Sequence, residues 1–503
     1  MNILLVYPKY PETFWSFKHA LRYVSKKAAF PPLGLLTVGA MLPKAWNRRL
    51  VDLNVRELKR RDLEWADLVF LSAMIVQKPS ALEVIERCRQ AGVKVVAGGP
   101  MFTSRPEEFE QVDYLVLGEA EAILPEFLAD LEKGVAKPLY RANRRPRMDE
   151  SPVPQWDLIK KRHYASLAVQ YSRGCPFNCE FCDIIILNGR VPRMKSPGHL
   201  LQEFDALYKW GWRGPLFIVD DNFIGNKTKV KQMLHKLIAW MKRYRYPFAL
   251  FTEASLNLAE DEELMQLMVE AGFNKVFIGL ETPEDASLAE CSKLQNTNRD
   301  QVALVKRIQN RGMEVLGGFI IGFDNDSPGI FDKQIRFIQN MGVVTAMVGL
   351  LNALPGTKLY TRLKKEGRLL GDSTGNNVDI SLNFIPKMDK ETLIEGYKKV
   401  LEAIYSTREY YERVHRFLEE YRPARTGHLV LSDFVAFLKS LWILGVVRKG
   451  RRYYWKLISK SLIKNPRAFP EAVTHAILRI HFQEVTEKYL KFDVKNTAAP
   501  NCK

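Results

Sequence analysis

The first 132 residues alternate short apolar runs with segments of helical periodicity. Five runs are rich in Val, Leu and Ile, and three of them are followed directly by Gly or Pro: 3–7, 49–53, 68–74, 93–97 and 114–117. Such runs are typical of strands that are buried on both faces of a parallel sheet. Helical stretches between them, such as residues 80–90, predict βαβ units. We therefore predict a doubly wound α/β domain at residues 1–133.

A second series of the same kind follows a basic, Pro-rich segment at 134–165, which we predict to be a linker. Six further runs alternate with helical stretches: 167–171, 216–219, 248–252, 276–279, 315–321 and 345–350. A series of six βα units closes wholly or partly into a barrel with its chemistry at the carboxyl ends of the strands. We predict a partial (βα)6 barrel at residues 166–385 and a mainly helical C-terminal domain at residues 386–503.

Charge and cysteine content indicate which partners and which cellular compartment are possible. The net charge of +18 allows attraction to nucleic acid, anionic lipid or anionic substrates without choosing among them. Only six cysteines occur, and three of them lie within eight residues, which argues against a secreted disulfide framework. The first residues lack the features of a signal peptide, and the apolar stretch 429–447 contains Asp433 and Lys439. We expect a cytoplasmic protein without a transmembrane span.

Three cysteines follow the first strand of the second series directly: Cys175, Cys179 and Cys182. Their Cys-x3-Cys-x2-Cys spacing supplies thiolates for three irons of a four-iron four-sulfur cluster and leaves the fourth iron open to another ligand. A zinc site is the alternative, but no fourth Cys and no His pair lies nearby at the spacing of zinc ligands. The other cysteines stand alone and have no predicted role: Cys88, Cys291 and Cys502.

With this motif after the first strand of a six-unit βα series, the chain resembles the radical S-adenosylmethionine (SAM) superfamily. The resemblance implies that SAM chelates the open iron and that an electron from the cluster cleaves SAM to an adenosyl radical. It also implies nucleotide-binding positions at later strand ends, where carboxylates suit the ammonium and ribose groups. The alternative for each acid is a helix N-cap or a surface carboxylate. The matching positions are Asp221, Glu253, Glu281, Gly318 and Asp326.

Small residues follow three strands of the first domain, at Ser72, at Gly98 and Gly99, and at Gly118. Taken alone, they fit tight turns, and the fold does not name a ligand. The order of doubly wound domain, linker and radical barrel is similar, however, to that of cobalamin-dependent radical SAM enzymes. This resemblance implies cobalamin at the small residues. The motif that supplies an axial histidine to cobalamin is absent, so no histidine ligand is expected.

The whole layout resembles the hopanoid C-2 methylases and their relatives. This implies a methyltransferase that acts on an unactivated carbon of an apolar substrate, a hopanoid or other lipid, with an external flavodoxin- or ferredoxin-type electron donor. Radical cyclisation or rearrangement without methyl transfer stays an alternative, and a non-catalytic cobalamin sensor is a weaker one. Methylthiotransferases are rejected, because their first domain carries its own cluster cysteines and this one has only Cys88. Nucleic acid is not an expected partner, since no RNA-binding module is recognised.

One segment beyond the barrel bears on how such a substrate is reached. Apolar side chains crowd residues 434–444, basic residues follow at 448–452, and three aromatic residues occupy 453–455. A helix of this composition can lie in a membrane interface, with its basic residues at the anionic surface. A core helix with a solvated basic end would have the same pattern. We predict peripheral contact with the inner face of the membrane.

Overall fold

The computed structural model describes residues 1–424 and 431–490. The first part of the chain forms a six-stranded sheet in which every pair of neighbouring strands is parallel. Its strands are β1 (Asn2–Tyr7), β2 (Asn47–Asp52), β3 (Leu68–Ser72), β4 (Lys94–Gly98), β5 (Tyr114–Leu117) and β6 (Leu139–Arg141). They lie in the order β2-β1-β3-β4-β5-β6.

Both faces of this sheet are buried. Successive side chains of a strand point to opposite faces, so Ile3 and Leu5 of β1 enter one apolar cluster and Leu4 and Val6 enter the other. Helices cover each cluster, which confirms the predicted doubly wound sheet. The helices of this region are α1 (Lys18–Leu21), α2 (Leu33–Met41), α3 (Arg60–Trp65), α4 (Lys78–Gln90), α5 (Pro100–Ser104) and α6 (Ala120–Glu132).

Strand β6 lies inside the segment that the sequence predicted to be a linker. Its buried Tyr140 packs edge-on against Phe127, with the ring centroids 5.3 Å apart. The backbone amide of Ala142 donates a 2.9 Å hydrogen bond to the carbonyl of Leu117 at the end of β5. A three-residue strand with exposed ends has no detectable period, and only pairing with β5 makes it part of the sheet.

The second sheet is also six-stranded and parallel, and its order is β14-β13-β12-β11-β10-β7. Because β14 and β7 are both edges, the sheet forms the partial barrel that the sequence predicted. A small antiparallel pair, β8 with β9, brackets the cysteine segment. The strands are β7 (Leu167–Val169), β8 (Ser172–Arg173), β9 (Arg193–Met194), β10 (Gly214–Ile218), β11 (Phe248–Ala254), β12 (Phe273–Glu281), β13 (Glu314–Ile321) and β14 (Ala346–Leu350).

Helices surround the convex side of the barrel, so its strands have one helix-facing side and one inward side. Along β11 the side chains of Leu250 and Thr252 are fully buried, whereas Phe251 and Glu253 are only partly buried and face inward. The helices are α7 (Ile184–Leu187), α8 (Pro197–Lys209), α9 (Lys227–Arg243), α10 (Glu262–Ala271), α11 (Asp285–Glu290), α12 (Gln301–Asn310), α13 (Ile330–Met341) and α14 (Lys358–Lys365).

The open side of the barrel is closed by segments from both ends of the chain. On the edge strand β14, the carbonyls of Val348 and Ala346 accept hydrogen bonds of 3.0 and 2.6 Å from the hydroxyls of Tyr397 and Tyr405. From the N-terminal side, Trp15 donates to the sulfur of Met347 on the same strand. The two tyrosines hydrogen-bond backbone carbonyls at the edge of β14, and the three contacts together cover the open side of the barrel.

The C-terminal region is helical, as predicted. Helices α15 and α19 pack on each other and close the barrel, and α17 and α18 lie outside them. No helix among the described residues is both long and apolar enough to cross a membrane. The helices are α15 (Lys390–Tyr405), α16 (Thr407–Glu420), α17 (Leu431–Trp442), a π-helical turn (Ile443–Val447), α18 (Arg451–Lys464) and α19 (Phe469–Leu490).

Candidate active site

The three cysteines of the motif lie on one loop between β8 and α7, at the carboxyl end of the barrel. Gly174 opens the loop with a φ of 99°, a backbone conformation that favours glycine. The amide of Cys175 donates a 3.1 Å hydrogen bond to the carbonyl of Gly189, and the amide of Cys182 bonds to the carbonyl of Cys179. The loop is therefore folded around its own backbone, and Cys179 lies close enough to Cys175 and Cys182 for its charge to act on both thiols.

Amide side chains from two other loops point at these thiols. The Nδ2 of Asn222 lies 3.8 Å from the sulfur of Cys175, and the Nε2 of Gln295 lies 3.7 Å from the sulfur of Cys179. Burial raises the pKa of Cys182 to about 12, with smaller contributions from the charges of Asp183 and then Cys179. Thiolates in this setting need a positive partner such as iron, together with the N–H donors that surround them.

Asp221 holds the start of the cysteine loop. Its Oδ2 accepts hydrogen bonds from the amide of Gly174 at 2.7 Å and from the side chain of Asn188 at 2.9 Å. Its neighbour Asp220 is buried and accepts from Tyr171 and Ser172 at the end of the first barrel strand. The geometry thus gives Asp221 a positioning contact with the loop, and its expected contact with the amino group of SAM stays a prediction.

Glu253 is the predicted site residue whose carboxylate is available to bind a cation. It lies near the carboxyl end of β11 on the inward side, and no described group donates a hydrogen bond to its side chain. Burial, followed by the charges of Asp221 and Asp220, raises the pKa of Glu253 to about 8. A carboxylate in this position gains most from a cation, and the ammonium group of SAM is one.

Glu281 forms an ion pair that the sequence did not reveal. It ends β12 with a φ of 62° and accepts a 2.7 Å hydrogen bond from the ammonium of Lys293. Burial alone would lower the pKa of Lys293, but Glu281 and then Cys179 outweigh it and raise that pKa. Lys293 therefore places a positive charge beside the cysteines. It lies more than a hundred residues beyond them in an irregular segment, and no sequence pattern marks it.

Gly318 and Asp326 are engaged within the protein. A Cβ on Gly318 would lie 2.8 Å from the ring of Phe277 on the neighbouring strand. The carboxylate of Asp326 accepts hydrogen bonds from the amides of Gly322 and Phe323 and from the hydroxyl of Ser287. These contacts close the turn after β13, and the expected nucleotide contacts of both residues stay predictions.

The small residues of the first domain meet at the carboxyl edge of its sheet, at the ends of β3, β4 and β5. A Cβ on Gly99, whose φ is 91°, would lie 2.5 Å from the hydroxyl oxygen of Ser72. On Gly98 it would lie 2.8 Å from the carbonyl oxygen of Val116. Gly118 is exposed at the same edge, and Met74 is 40% exposed there. The flat, partly apolar edge fits a large planar ligand.

A buried ion-pair network joins this edge to the cysteine loop. Glu119, next to Gly118, binds Arg173 and Arg193, both at 2.6 Å. Glu121 binds Arg173 at 2.8 Å. Arg173 directly precedes the turn into the cysteine loop, so these four side chains connect the glycine-lined edge of the first sheet with the loop that carries the cysteines.

Three family models match separate parts of the chain. Residues 24–128 match the B12 binding domain, residues 169–338 match the radical SAM superfamily, and residues 357–493 match a domain of unknown function. A protein of Synechocystis sp. that is named an uncharacterized methyltransferase is 42% identical over 97% of this chain and 92% of its own length. The hopanoid C-2 methylase of Rhodopseudomonas palustris is 34% identical over 92% of this chain and 90% of its own.

The chain belongs to the cobalamin-dependent radical SAM methyltransferases. Its cofactors are a four-iron four-sulfur cluster, SAM and cobalamin, as the sequence predicted. Its fold agrees with a solved structure of the cobalamin-dependent radical SAM enzyme OxsB with aqua-cobalamin and SAM bound. The TM-score is 0.61 at 16% identity, covering 96% of this chain and 84% of that one.

The residues of this methyltransferase fit the iron–sulfur cluster, SAM and cobalamin. Three thiols with N–H donors on their sulfurs suit the cluster, the carboxylate of Glu253 suits SAM, and the glycine-lined edge of the first sheet suits cobalamin. The sequence predicted the cysteines, the acids and the glycines as site residues. It missed Asn222, Lys293 and Gln295, because their relation to the cysteines exists only in the folded chain.

Joint replacement of Cys175, Cys179 and Cys182 by Ala should remove the iron and the iron–sulfur absorbance and stop all SAM cleavage, because too few thiolates remain to hold a cluster. Iron content and the visible spectrum of the anaerobically purified protein measure this. Cys291→Ala is the control: Cys291 is buried and its carbonyl accepts from the amide of Glu180, yet the cluster should persist. Native iron content in the triple variant would contradict the assignment.

Glu253→Gln should weaken SAM binding, because it removes a charge-assisted hydrogen bond worth about 1.5–3 kcal/mol, or ~10–100-fold in Kd. Isothermal titration of the cluster-loaded protein with SAM measures the change. The exposed Glu263→Gln on α10 is the matched control and should bind SAM as the native protein does. An unchanged Kd for Glu253→Gln at native iron content would remove Glu253 from the SAM site.

Proposed function

We propose that this enzyme transfers methyl groups to a carbon atom of an apolar substrate, a hopanoid or other membrane lipid, which it reaches at the cytoplasmic face of a membrane. The hopanoid C-2 methylase that it resembles at 34% identity supports this substrate class. The observation that carries the proposal is the aromatic lining of the barrel interior. An interior of this kind binds apolar surface and repels hydrated groups.

Aromatic rings from five separate segments of the chain line this interior. Phe217 and Phe251, on neighbouring strands, are stacked with their centroids 4.7 Å apart, and Phe30 lies 5.4 Å from Phe217. Trp15 packs edge-on against Phe277 of β12 at 5.4 Å. All five side chains are only partly buried, so they border accessible space inside the barrel. We infer that the apolar part of the substrate lies against them.

The polar groups lie on the carboxyl side of these rings. Glu253 follows Phe251 by two residues on the same side of β11, and Glu281 follows Phe277 by four residues along β12. In this proposal the cysteines hold the cluster, Asp221 and Asn188 hold the cysteine loop, and Glu253 orients the ammonium of SAM. The cluster supplies the electron that cleaves SAM, and cobalamin carries the methyl group. The enclosed interior excludes water from the reacting carbon.

An apolar surface outside the barrel supports access from a membrane. On α17 the side chains of Phe434, Leu438 and Trp442 are 58, 48 and 65% exposed and are spaced by four residues, so they share one helix face. Other exposed apolar side chains extend this surface across the π-helical turn and α18: Val435, Val446, Val447, Tyr453, Trp455, Leu462 and Ile463. We call these ten side chains the α17–α18 surface.

Basic residues border the α17–α18 surface. Lys449, Arg451 and Arg452 are exposed at the start of α18, whereas Arg448 forms an ion pair with Glu484 at 2.7 Å. Part of the segment has the ordinary role of a core helix, since Leu444 and Tyr454 are buried. The apolar face and the three exposed cations together match an anionic membrane surface, where each cation contributes about 1 kcal/mol. Large exposed apolar patches mark interaction sites.

The decisive test of the reaction is product analysis with SAM that carries a labelled methyl group. The cluster- and cobalamin-loaded enzyme is incubated with lipid extracts under reducing, anaerobic conditions. We expect labelled methyl in an apolar product, together with deoxyadenosine and S-adenosylhomocysteine. Deoxyadenosine without methyl transfer would favour a radical cyclisation or rearrangement instead, and labelling confined to water-soluble substrates would overturn the lipid assignment.

The α17–α18 surface should bind vesicles of anionic lipid at low salt, and the binding should weaken as salt rises, because screening reduces the attraction of exposed charges. Joint replacement of Lys449, Arg451 and Arg452 by Glu should abolish co-sedimentation with the vesicles at low salt. Joint replacement of Phe434 and Trp442 by Ala should weaken binding at every salt concentration, since it removes the apolar contribution.

A charge-matched variant separates this surface from the general positive charge of the protein. Arg61, Lys133 and Lys137 are exposed on the first domain, and their joint replacement by Glu should leave most vesicle binding in place. Iron content is checked in every variant. If the native enzyme does not bind anionic vesicles at low salt, or if both triple variants lose binding equally, the membrane contact is wrong.

A further inference from the structure

The segment that covers the cysteine loop reaches the protein surface. The carbonyl of Gly189 accepts the amide hydrogen bond of Cys175 at 3.1 Å. A Cβ on Gly174 would lie 2.8 to 3.2 Å from the carbonyl oxygens of residues 188, 189 and 191. Residues 188–191 therefore pack directly on the start of the loop, while the side chains of Arg190 and Val191 stay exposed.

Basic side chains converge on this segment from two parts of the chain. Arg190 reaches the carbonyl of Pro176, inside the cysteine loop, at 3.4 Å. Arg145, which follows β6 in the first domain, donates to the carbonyl of Ile186 at 3.1 Å, and its guanidinium lies against Gly189. Both arginines are exposed, so their charges act on the solvent beside the loop.

Two apolar side chains of the same part of the chain are also exposed. Ile186 is 42% exposed and Val191 is 76% exposed. Nearby carboxylates are already paired: Glu150 with Arg144 at 2.7 Å, and Glu119 with Arg173 and Arg193. We define the cluster-side surface as Arg145, Ile186, Arg190 and Val191. It carries two exposed apolar side chains and two exposed arginines that form no ion pair with a described carboxylate, and we call these arginines its positive border.

We propose that the cluster-side surface docks an acidic one-electron carrier protein that reduces the cluster. This rests on the assignment of the cluster to Cys175, Cys179 and Cys182. Electron transfer through protein slows steeply with distance, so a carrier must dock where the cysteine loop lies closest to solvent. Electron-transfer complexes are small and weak, and complementary charge mainly speeds their association. The cluster-side surface combines exposed cations, which attract an acidic carrier, with two exposed apolar side chains, which suit a small contact.

The transfer itself needs no covalent change. The reduced carrier loses one electron and the oxidised cluster gains it, with no bond formed or broken and no proton exchanged between the proteins. The positive border would both attract the acidic carrier and favour the electron's arrival at the cluster side. The exposed Arg147 and Lys358 flank the same region and extend the border.

The experiment uses the cluster-loaded enzyme and a bacterial flavodoxin as the carrier. Fluorescence anisotropy of labelled, oxidised flavodoxin gives the Kd of the complex, and stopped-flow absorbance gives the rate of cluster reduction by the flavodoxin hydroquinone. We expect joint replacement of Arg145 and Arg190 by Glu to raise the Kd and to slow reduction by about tenfold or more at low salt. The native Kd should rise with salt.

Two controls make the outcome specific. Dithionite needs no docking surface, so SAM cleavage driven by dithionite, expressed per bound iron, should fall far less in the Arg145/Arg190 variant than reduction by flavodoxin does. Lys133 and Lys137 precede β6, whereas Arg145 follows it, so the two lysines lie at the other end of this strand. Their joint replacement by Glu should leave the flavodoxin Kd unchanged. A third variant, Arg147→Glu, carries a milder change at the border and should raise the Kd less.

The proposal is overturned if the Arg145/Arg190 variant binds flavodoxin and accepts electrons from it as the native enzyme does. It is equally overturned if the Lys133/Lys137 variant loses binding to the same extent, since the attraction would then be general. Failure of dithionite to drive SAM cleavage in the native enzyme would instead refute the cluster assignment, and is therefore a distinguishable result.

Discussion

The arrangement of the site depends on a buried ion-pair network that joins the carboxyl edge of the first sheet to the cysteine loop. Arg173 binds Glu119 and Glu121, Arg193 binds Glu119, and the four side chains are only 3 to 18% exposed. Burial costs such charges several kcal/mol each unless their remaining hydrogen bonds are met. Here Arg173 also donates to Gln170, and Arg193 to a backbone carbonyl. Although burial alone would raise it, the charge of Arg173 lowers the pKa of Glu121 to about 2.

This network connects the sheet edge that is predicted to bind cobalamin with the loop that is predicted to hold the cluster. Glu119 follows Gly118 at the carboxyl edge of the first sheet, and Arg173 precedes Cys175 by two residues. Loss of Arg173 would leave Glu121 without its partner and loss of Glu119 would leave Arg193 without its partner, so breaking the network is costly. Because Glu121 has a lowered pKa, its stabilising contribution is present above its ordinary pKa and is lost as the pH falls towards 2. The arrangement is therefore stable throughout the neutral range.

The C-terminal region covers an open edge of the barrel and, in our proposal, carries the surface through which the enzyme reaches its substrate at a membrane. A six-stranded barrel leaves two edges, and the hydroxyls of Tyr397 and Tyr405 satisfy the carbonyls of one of them. Trp15 enters the same opening from the N-terminal side and contributes to the aromatic lining. The aromatic lining of the interior thus forms only because segments far apart in the chain meet there. The same region carries the α17–α18 surface on its outer side.

The sequence by itself determined the two parallel sheets, the helical end of the chain and the three cysteines, because each has a local signature: continuous apolar runs, helical periodicity or a fixed spacing. It could not determine which acids face a ligand. Asp221 and Asp326 share the strand-end position of Glu253, yet their carboxylates bond to backbone amides, and only the folded loops decide that. Strand β6, the ion pair of Lys293 and the network around Arg173 likewise arise from contacts between distant segments, which leave no periodic trace in the sequence.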